Sequence, residues 1–444
     1  MTTAPRSAPP VWVKRQWKLN NNPFPTTGIA RLGGSDLREN GLLFDPAVNA
    51  DKLNESIEKF VLGAAFSGLR FGYLWSTGSG DGDSDARGYG KSVLMQHLAW
   101  SLNQDWGRSA YKAAGLDDSD ADETPICGLL TSFDTAQIRS LNAALFTAVE
   151  YSVDFRKTDQ ELTLAQRLRD RLIAIVGADD TASLAAAVAH EHRNLRGRTL
   201  GPPDDKLIKA LCDADQTVAA DYLDQVKPAS RTRNGGVFLA TFLLFAAAAG
   251  VRHVLLCCDQ LEDLASTTTA KAKRDLETER FRDVILETLP MADMLSVVVT
   301  MHPRAALTIG NAWELADLPT FEMSEANKHR IVILPPLRDV ESAKKLLRPY
   351  LDAARKNQDD HKPGDLYPLT DAAVAALFTR SNRKPRDVLR KAHGLFESAA
   401  AENLDIIDED AVGRHLDAIG PDLDDDLGPV VPGSGSSTLD WSAG

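Results

Sequence analysis

The chain has 444 residues, 43% hydrophobic and 25% charged, with 63 acidic against 50 basic side chains and a net charge of −13. These values fit a globular protein of two to three domains with a sizeable core. The acidic balance argues against a generic nucleic-acid coat, although a local basic patch can still face a ligand.

Four cysteines, Cys127, Cys212, Cys257 and Cys258, show no metal-ligand spacing and read as small buried apolar side chains of a reducing compartment. The polar, Pro-rich start, Met1 to Pro10, lacks the basic and apolar segments of a signal peptide. The longest apolar run, Val237 to Gly250, has 14 residues, too few to cross a bilayer of about 30 Å. The expectation is a cytoplasmic protein with no membrane contact.

Residues 1 to 45 read as a polar, extended segment, with turn chemistry at Asn20 to Pro25 and Leu32 to Asp36. Leu53, Ile57, Phe60, Val61 and Ala64 keep a helical spacing and predict a helix over 49–67. A short strand, Leu69 to Trp75, then a Gly/Ser/Asp loop, then a helix from Lys91 to Asn103 follow. Ile126 to Phe133 predicts a strand, and residues 137 to 230 read as a helical insertion interrupted at Gly201-Pro202-Pro203. A buried helix over 237–250 leads into the strand His253 to Cys258. A helix over 270–289 and the strand Leu295 to Met301 come next, and Ile331 to Pro335 can add another strand. Strands separated by helices imply a parallel sheet with crossover connections. From Val340 only helices are expected, which suggests a separate unit over 338–421. The Gly-, Pro-, Ser- and Asp-rich end, 422 to 444, reads as a tail without a packed core.

Two constellations carry chemistry. The loop after the first strand ends Asp85-Ala-Arg-Gly88-Tyr89-Gly90-Lys91-Ser92-Val93, the second half of the G-x-x-x-x-G-K-[ST] phosphate loop, with Asp85 where the first glycine belongs. Gly88 and Gly90 let the backbone curl its N–H groups toward phosphate oxygens. Lys91 brings a cation to the β- and γ-phosphates, Ser92 offers a hydroxyl to Mg²⁺, and the helix adds its positive dipole end. The second constellation is the apolar strand 253–258 ending in Asp259-Gln260-Leu261-Glu262-Asp263. An acid at the carboxyl end of a parallel strand faces the ligand crevice of an open sheet. Asp259 is the candidate for the Mg²⁺ shell and Glu262, then Asp263, for polarising the attacking water. The bland alternatives are a flexible GxGKS surface turn and a solvated turn after a core strand.

With these motifs in this order, the chain resembles AAA+ and related signalling P-loop ATPases, in particular initiator-type (origin-recognition) ATPases such as occur in bacterial phage-defence and mobile-element systems. The resemblance spans about 20–415. It implies an α/β P-loop NTPase core over 46–337, a parallel sheet carrying the insertion at 137–230, followed by a small all-α lid over 338–421. It implies ATP and Mg²⁺ as ligands, Asp259-Gln260 in place of the usual Asp-Glu pair, and a polar sensor at the strand end Thr300-Met-His302-Pro-Arg304, with Thr300 or His302 in that role. The run Ser381-Asn-Arg-Lys-Pro-Arg386 is similar to the lid motif that brings an arginine over the nucleotide, Arg386 being the matching position and Arg383 standing where glycine is usual. Arg380, Arg383, Lys384, Arg390 and Lys391 are expected to face outward. Asn327 to Leu337 resembles the core-to-lid junction, and Asn22 to Pro25 the segment that packs on the adenine. Arg280, Arg282 and Arg304 are positioned as candidates to act on a neighbouring subunit's site, and Arg193, Arg196 and Arg198 of the insertion to touch an acidic ligand. Homo-oligomers, or protein partners in a multi-subunit complex, follow from the resemblance, with DNA reached through partners. Three functions stay open: an ATPase that controls a partner complex, an ATP-binding scaffold with little hydrolysis, and a DNA-dependent loader or motor.

Overall fold

The computed structural model describes residues 17–28, 30, 36–76, 88–132, 140–154, 162–194, 202–261, 271–283, 294–300, 312–319, 324–355 and 365–419. The helical spacing after Asn49 forms α1 (Ala50–Ser56), which runs through a π-helical turn (Ile57–Leu62) into α2 (Gly63–Ser67). Then come β1 (Phe71–Ser76), α3 (Lys91–Asp105), α4 (Arg108–Ala113), α5 (Asp118–Glu123) and β2 (Ile126–Ser132). The insertion folds as α6 (Leu141–Asp154), α7 (Leu164–Val176), α8 (Thr181–Asn194), α9 (Asp205–Cys212) and α10 (Val218–Asp224). Its boundaries follow local chemistry. Thr163 and Gln166 form a reciprocal capping box at the start of α7, Gly177 ends it in a left-handed turn, and Asp204 caps α9.

The long apolar run belongs to α11 (Pro228–Ala248), a 21-residue helix that begins before the expected 237, at Pro228 in the first turn. Polar residues of its first three turns lie outside the apolar run, so hydropathy alone started it too late. Then follow β3 (His253–Asp259), α12 (Lys271–Arg282), β4 (Leu295–Thr300) and β5 (Ile331–Leu334). The C-terminal unit is α13 (Val340–Ala354), α14 (Asp371–Arg380), α15 (Pro385–Ala401) and α16 (Glu409–Ile419).

The fold is α/β. All five strands are parallel, in the order β2-β3-β4-β1-β5. Every residue of β1, β3 and β4 is buried, as expected for strands covered on both faces. One face packs on α6, α11 and the insertion, through Leu145, Val149, Phe242 and Phe245. The other packs on α1, the π-turn, α3 and α4. Among the described residues, no single helix is long and apolar enough to cross a membrane.

The C-terminal helices form their own cluster, and the strap 17–28 joins it. Phe24, 0% exposed, packs edge-on to Phe396 at 5.1 Å and near Tyr350 at 6.0 Å. Burying one such side chain contributes about 1.5–3 kcal/mol. Asn22 links the strap to α15 through the His393 carbonyl and the Glu397 carboxylate, both at 2.9 Å. The segment expected to pack on an adenine therefore has its aromatic ring committed to the helical core.

At the opposite edge of the sheet, the Ser296 hydroxyl donates to the Leu69 carbonyl, 2.5 Å away, so it accepts from Nε2–H of His253 at 3.0 Å. Burial, with Arg70 second, lowers the His253 pKa from 6.5 to about 4. Above pH 6.5 the ring is neutral in both folded and unfolded chains. As pH falls through 6.5 the unfolded chain takes up a proton that the folded one refuses until about pH 4, so stability drops across that window. The loss is on the order of 3 kcal/mol. Urea denaturation at pH 6.5 and 4.5 is expected to show a shallower loss for His253→Gln than for wild type; parallel losses would exclude this assignment.

Candidate functional site

The carboxyl ends of the parallel strands share one edge, and polar residues terminate four of them: Ser76 on β1, Ser132 on β2, Asp259 on β3 and Thr300 on β4. Register sets Ser132 beside Asp259, and Thr300 beside Leu74 of β1. Asp259 and Thr300 are 5% and 1% exposed. The Thr300 hydroxyl donates to Asp259 Oδ1 at 2.5 Å and accepts the Gln260 N–H at 3.0 Å. The Leu261 N–H then donates to the Thr300 carbonyl at 3.0 Å. These bonds hold Gln260 in a left-handed conformation, φ 56°, and turn the chain one residue past Asp259. Thr300, expected as a sensor of phosphate or water, clamps the acid through this bond. The neighbouring thiols take no part. Burial, with the Asp259 charge adding to it, keeps Cys257 and Cys258 protonated.

The glycine turn that opens α3 lies at the same edge. Gly88 and Gly90 adopt φ 83° and 90°, a region open to glycine at little cost. Gly90 precedes α3, where no side chain caps the helix, so first-turn N–H groups of Lys91, Ser92 and Val93 lack intrahelical acceptors. Lys91 Nζ donates to Ser76 Oγ at 3.1 Å, which sets the cation over the end of β1. Lys91, Ser92 and Val93 are half-buried, whereas the Tyr89 ring is 1% exposed in the apolar cluster under α3. Asp85, Glu262, Asp263, His302, Arg304, Arg196 and Arg198 lie outside the described residues.

The start of α15 meets this loop. The Arg386 main-chain N–H donates to the Gly88 carbonyl at 3.1 Å, and its Nε donates to the Thr27 carbonyl of the strap at 3.3 Å. The turn before it contains two left-handed residues, Asn382 (φ 49°) and Arg383 (φ 59°), so Arg383 takes the conformation that glycine would supply. Its carbonyl accepts the Leu337 N–H at 2.8 Å, tying the turn to the end of the core. Lys384 departs from the expected outward face. It is 7% exposed, with Nζ 5.8 Å from the centre of the Tyr89 ring; a long aliphatic stem lets a lysine bury its body while its ammonium finds an aromatic face.

Of the arginines considered for a neighbouring site, Arg280 pairs within its own chain with Glu277 at 2.9 Å, and Arg282 with Asp283 at 3.2 Å. Glu277, 5% exposed, also accepts the Leu141 N–H at the start of α6. Glu277 went unnoticed in the sequence because an acid on a charged helix carries no local signal. Ser76, Ser132 and Thr27 went unnoticed as well. The two serines do have a signal, each being the last polar residue of an apolar strand.

Among the described residues, no three His, Cys, Asp or Glu side chains gather as a metal site. Asp259 and Ser92 are a carboxylate and a hydroxyl, the donor types that a Mg²⁺ takes beside phosphate oxygens and water. Removing the clamp tests the geometry directly. Thr300→Val leaves Asp259 without its hydroxyl donor and Gln260 with an orphaned N–H, and is expected to cost about 1–3 kcal/mol in chemical denaturation. Thr300→Ser is expected to stay near wild type, and equal stability of all three proteins would refute the clamp. In comparisons with known proteins, no protein-family model matches the chain, and no curated protein matches it.

Proposed function

We propose that the chain is a Mg²⁺-dependent P-loop ATPase of the AAA+ type, in which ATP binding and hydrolysis control the conformation of a partner complex. The observation that carries this reading is the meeting, at one sheet edge, of a left-handed GxGKS loop opening a helix with a buried, clamped acid two strands away. A solvated turn after β3 would not need an acid that is 5% exposed.

Each residue has a task. The N–H groups of the loop and of the first turn of α3 receive phosphate oxygens, and Lys91 adds a positive charge to them. Ser92 and Asp259 would hold Mg²⁺, which supplies neutralisation of charge on the phosphates. Glu262 is the proposed group that polarises water, because the Gln260 amide cannot accept a proton at neutral pH. Attack on the γ-phosphate otherwise needs positioning and charge stabilisation, which a rigid edge of parallel strands provides. Arg386, between strap, loop and helical unit, links occupancy of the loop to the position of that unit. Protein partners, or further copies of this chain, would read the change.

A specific observation favours a second reading, an ATP-binding scaffold. Gln260 follows Asp259 directly, and the turn at Gln260 takes the chain away from an extended Asp-Glu arrangement. Two measurements decide. Equilibrium binding of a fluorescent ATP analogue with Mg²⁺ is expected to weaken at least about tenfold in Lys91→Ala, the equivalent of about 1.4 kcal/mol. Equal binding by both proteins, or none by wild type, would remove the phosphate-loop assignment. In single-turnover assays Glu262→Gln is expected to bind ATP normally and lose hydrolysis; unchanged hydrolysis would discard Glu262, and no hydrolysis by a wild type that binds would leave the scaffold.

A further inference from the structure

The described half of the phosphate loop is held from two sides. Below, the Tyr89 ring anchors it in the apolar cluster under α3, and its hydroxyl has no hydrogen-bond partner among the described residues. Above, the Gly88 carbonyl accepts the main-chain N–H of Arg386 at 3.1 Å. The approach leaves no room for side chains. A Cβ built on Gly88 would stand 2.8 Å from the Arg386 Cβ, and one built on Gly28 would stand 2.8 Å from the Arg386 carbonyl oxygen. The Gly88 backbone therefore packs on the aliphatic stem of Arg386 besides bonding its main-chain N–H, and the Gly28 backbone packs on the Arg386 carbonyl.

Two consequences follow from peptide geometry. Arg386 is the second residue of α15, whose N-cap, Lys384, makes no side-chain capping bond. The Gly88 carbonyl supplies the missing acceptor for one first-turn N–H. The Gly88 carbonyl and the Tyr89 N–H also belong to one planar trans peptide and point in opposite directions. A carbonyl fixed toward α15 fixes the Tyr89 N–H away from it, as a preset donor for an anion in the loop.

We propose that the main-chain N–H of Arg386 is a positioning group for phosphate binding: by taking the Gly88 carbonyl as its cap, α15 presets the Tyr89 N–H, so docking of the helical unit and phosphate affinity of the loop are one equilibrium. The inference rests on the phosphate-loop reading and differs from a role for the guanidinium, whose Nε is directed to the Thr27 carbonyl.

The test separates main chain from side chain. Arg386→Ala keeps the N–H and removes the guanidinium. Arg386→Pro removes the N–H in the first turn, where it has no intrahelical acceptor, and circular dichroism with chemical denaturation of both variants checks that α15 stays folded. With a fluorescent ATP analogue and Mg²⁺, Arg386→Pro is expected to bind about tenfold more weakly than Arg386→Ala, which shares its loss of the guanidinium. Equal binding by Arg386→Pro and Arg386→Ala, at any level, overturns the proposal. Gly88→Ala provides a second readout that does not rely on the proline variant alone. Because both changes break one contact, the double variant Gly88→Ala/Arg386→Pro is expected to lose no more than the weaker of the two single variants, and additive losses overturn the proposal. Failure of wild type to bind at all would instead strike the phosphate-loop reading, and this proposal with it.

Discussion

A parallel sheet buried on both faces imposes the constraint from which the rest of this structure follows. Its backbone groups must pair strand to strand, and each parallel pair must be joined by a crossover. All five carboxyl ends then lie on one edge. Polar residues cannot sit mid-strand without partners, so they collect where the strands stop: Ser76, Ser132, Asp259 and Thr300. The edge becomes a line of polar groups on a rigid base, and the loops that leave it need little further ordering to converge.

Burial shapes what those groups do. Asp259 is nearly inaccessible, and a buried carboxylate needs donors. Thr300 supplies one, and the same hydroxyl accepts the next backbone N–H. One side chain thus satisfies the acid and sets the turn that follows it. The adjacent cysteines remain neutral through burial. A comparable economy operates at Arg386, where one main-chain N–H and one guanidinium nitrogen connect three separate segments.

The strap changes how the helical unit is understood. Trp17, Leu19 and Phe24 complete its core, so residues far upstream of the sheet are part of a unit that follows it. Any motion of α13–α16 carries the strap along, and Thr27 and Gly28 move with Arg386. The proposed coupling between loop and helical unit would run through contiguous contacts rather than a single one.

Much of this was legible in the sequence. Continuous apolar runs marked β1, β3 and β4, because strands buried on both faces have no polar side. Glycines at 88 and 90 announced left-handed backbone, and the acid after the third strand announced an edge position. The start of α11 was missed because its first turns are polar. Local pattern could not give the strand order, since pairing depends on crossovers longer than any window. It could not show that Thr300 faces Asp259 across 41 positions of chain, that Lys384 folds over Tyr89, or that Arg386 packs on Gly88. By itself the sequence determined which segments are buried strands and helices and which residues are candidates for phosphate chemistry, because those readings depend on neighbours in the chain. Only the tertiary structure decided which of these groups meet, because hydrogen bonds and close backbone contacts form between positions that sequence distance does not relate.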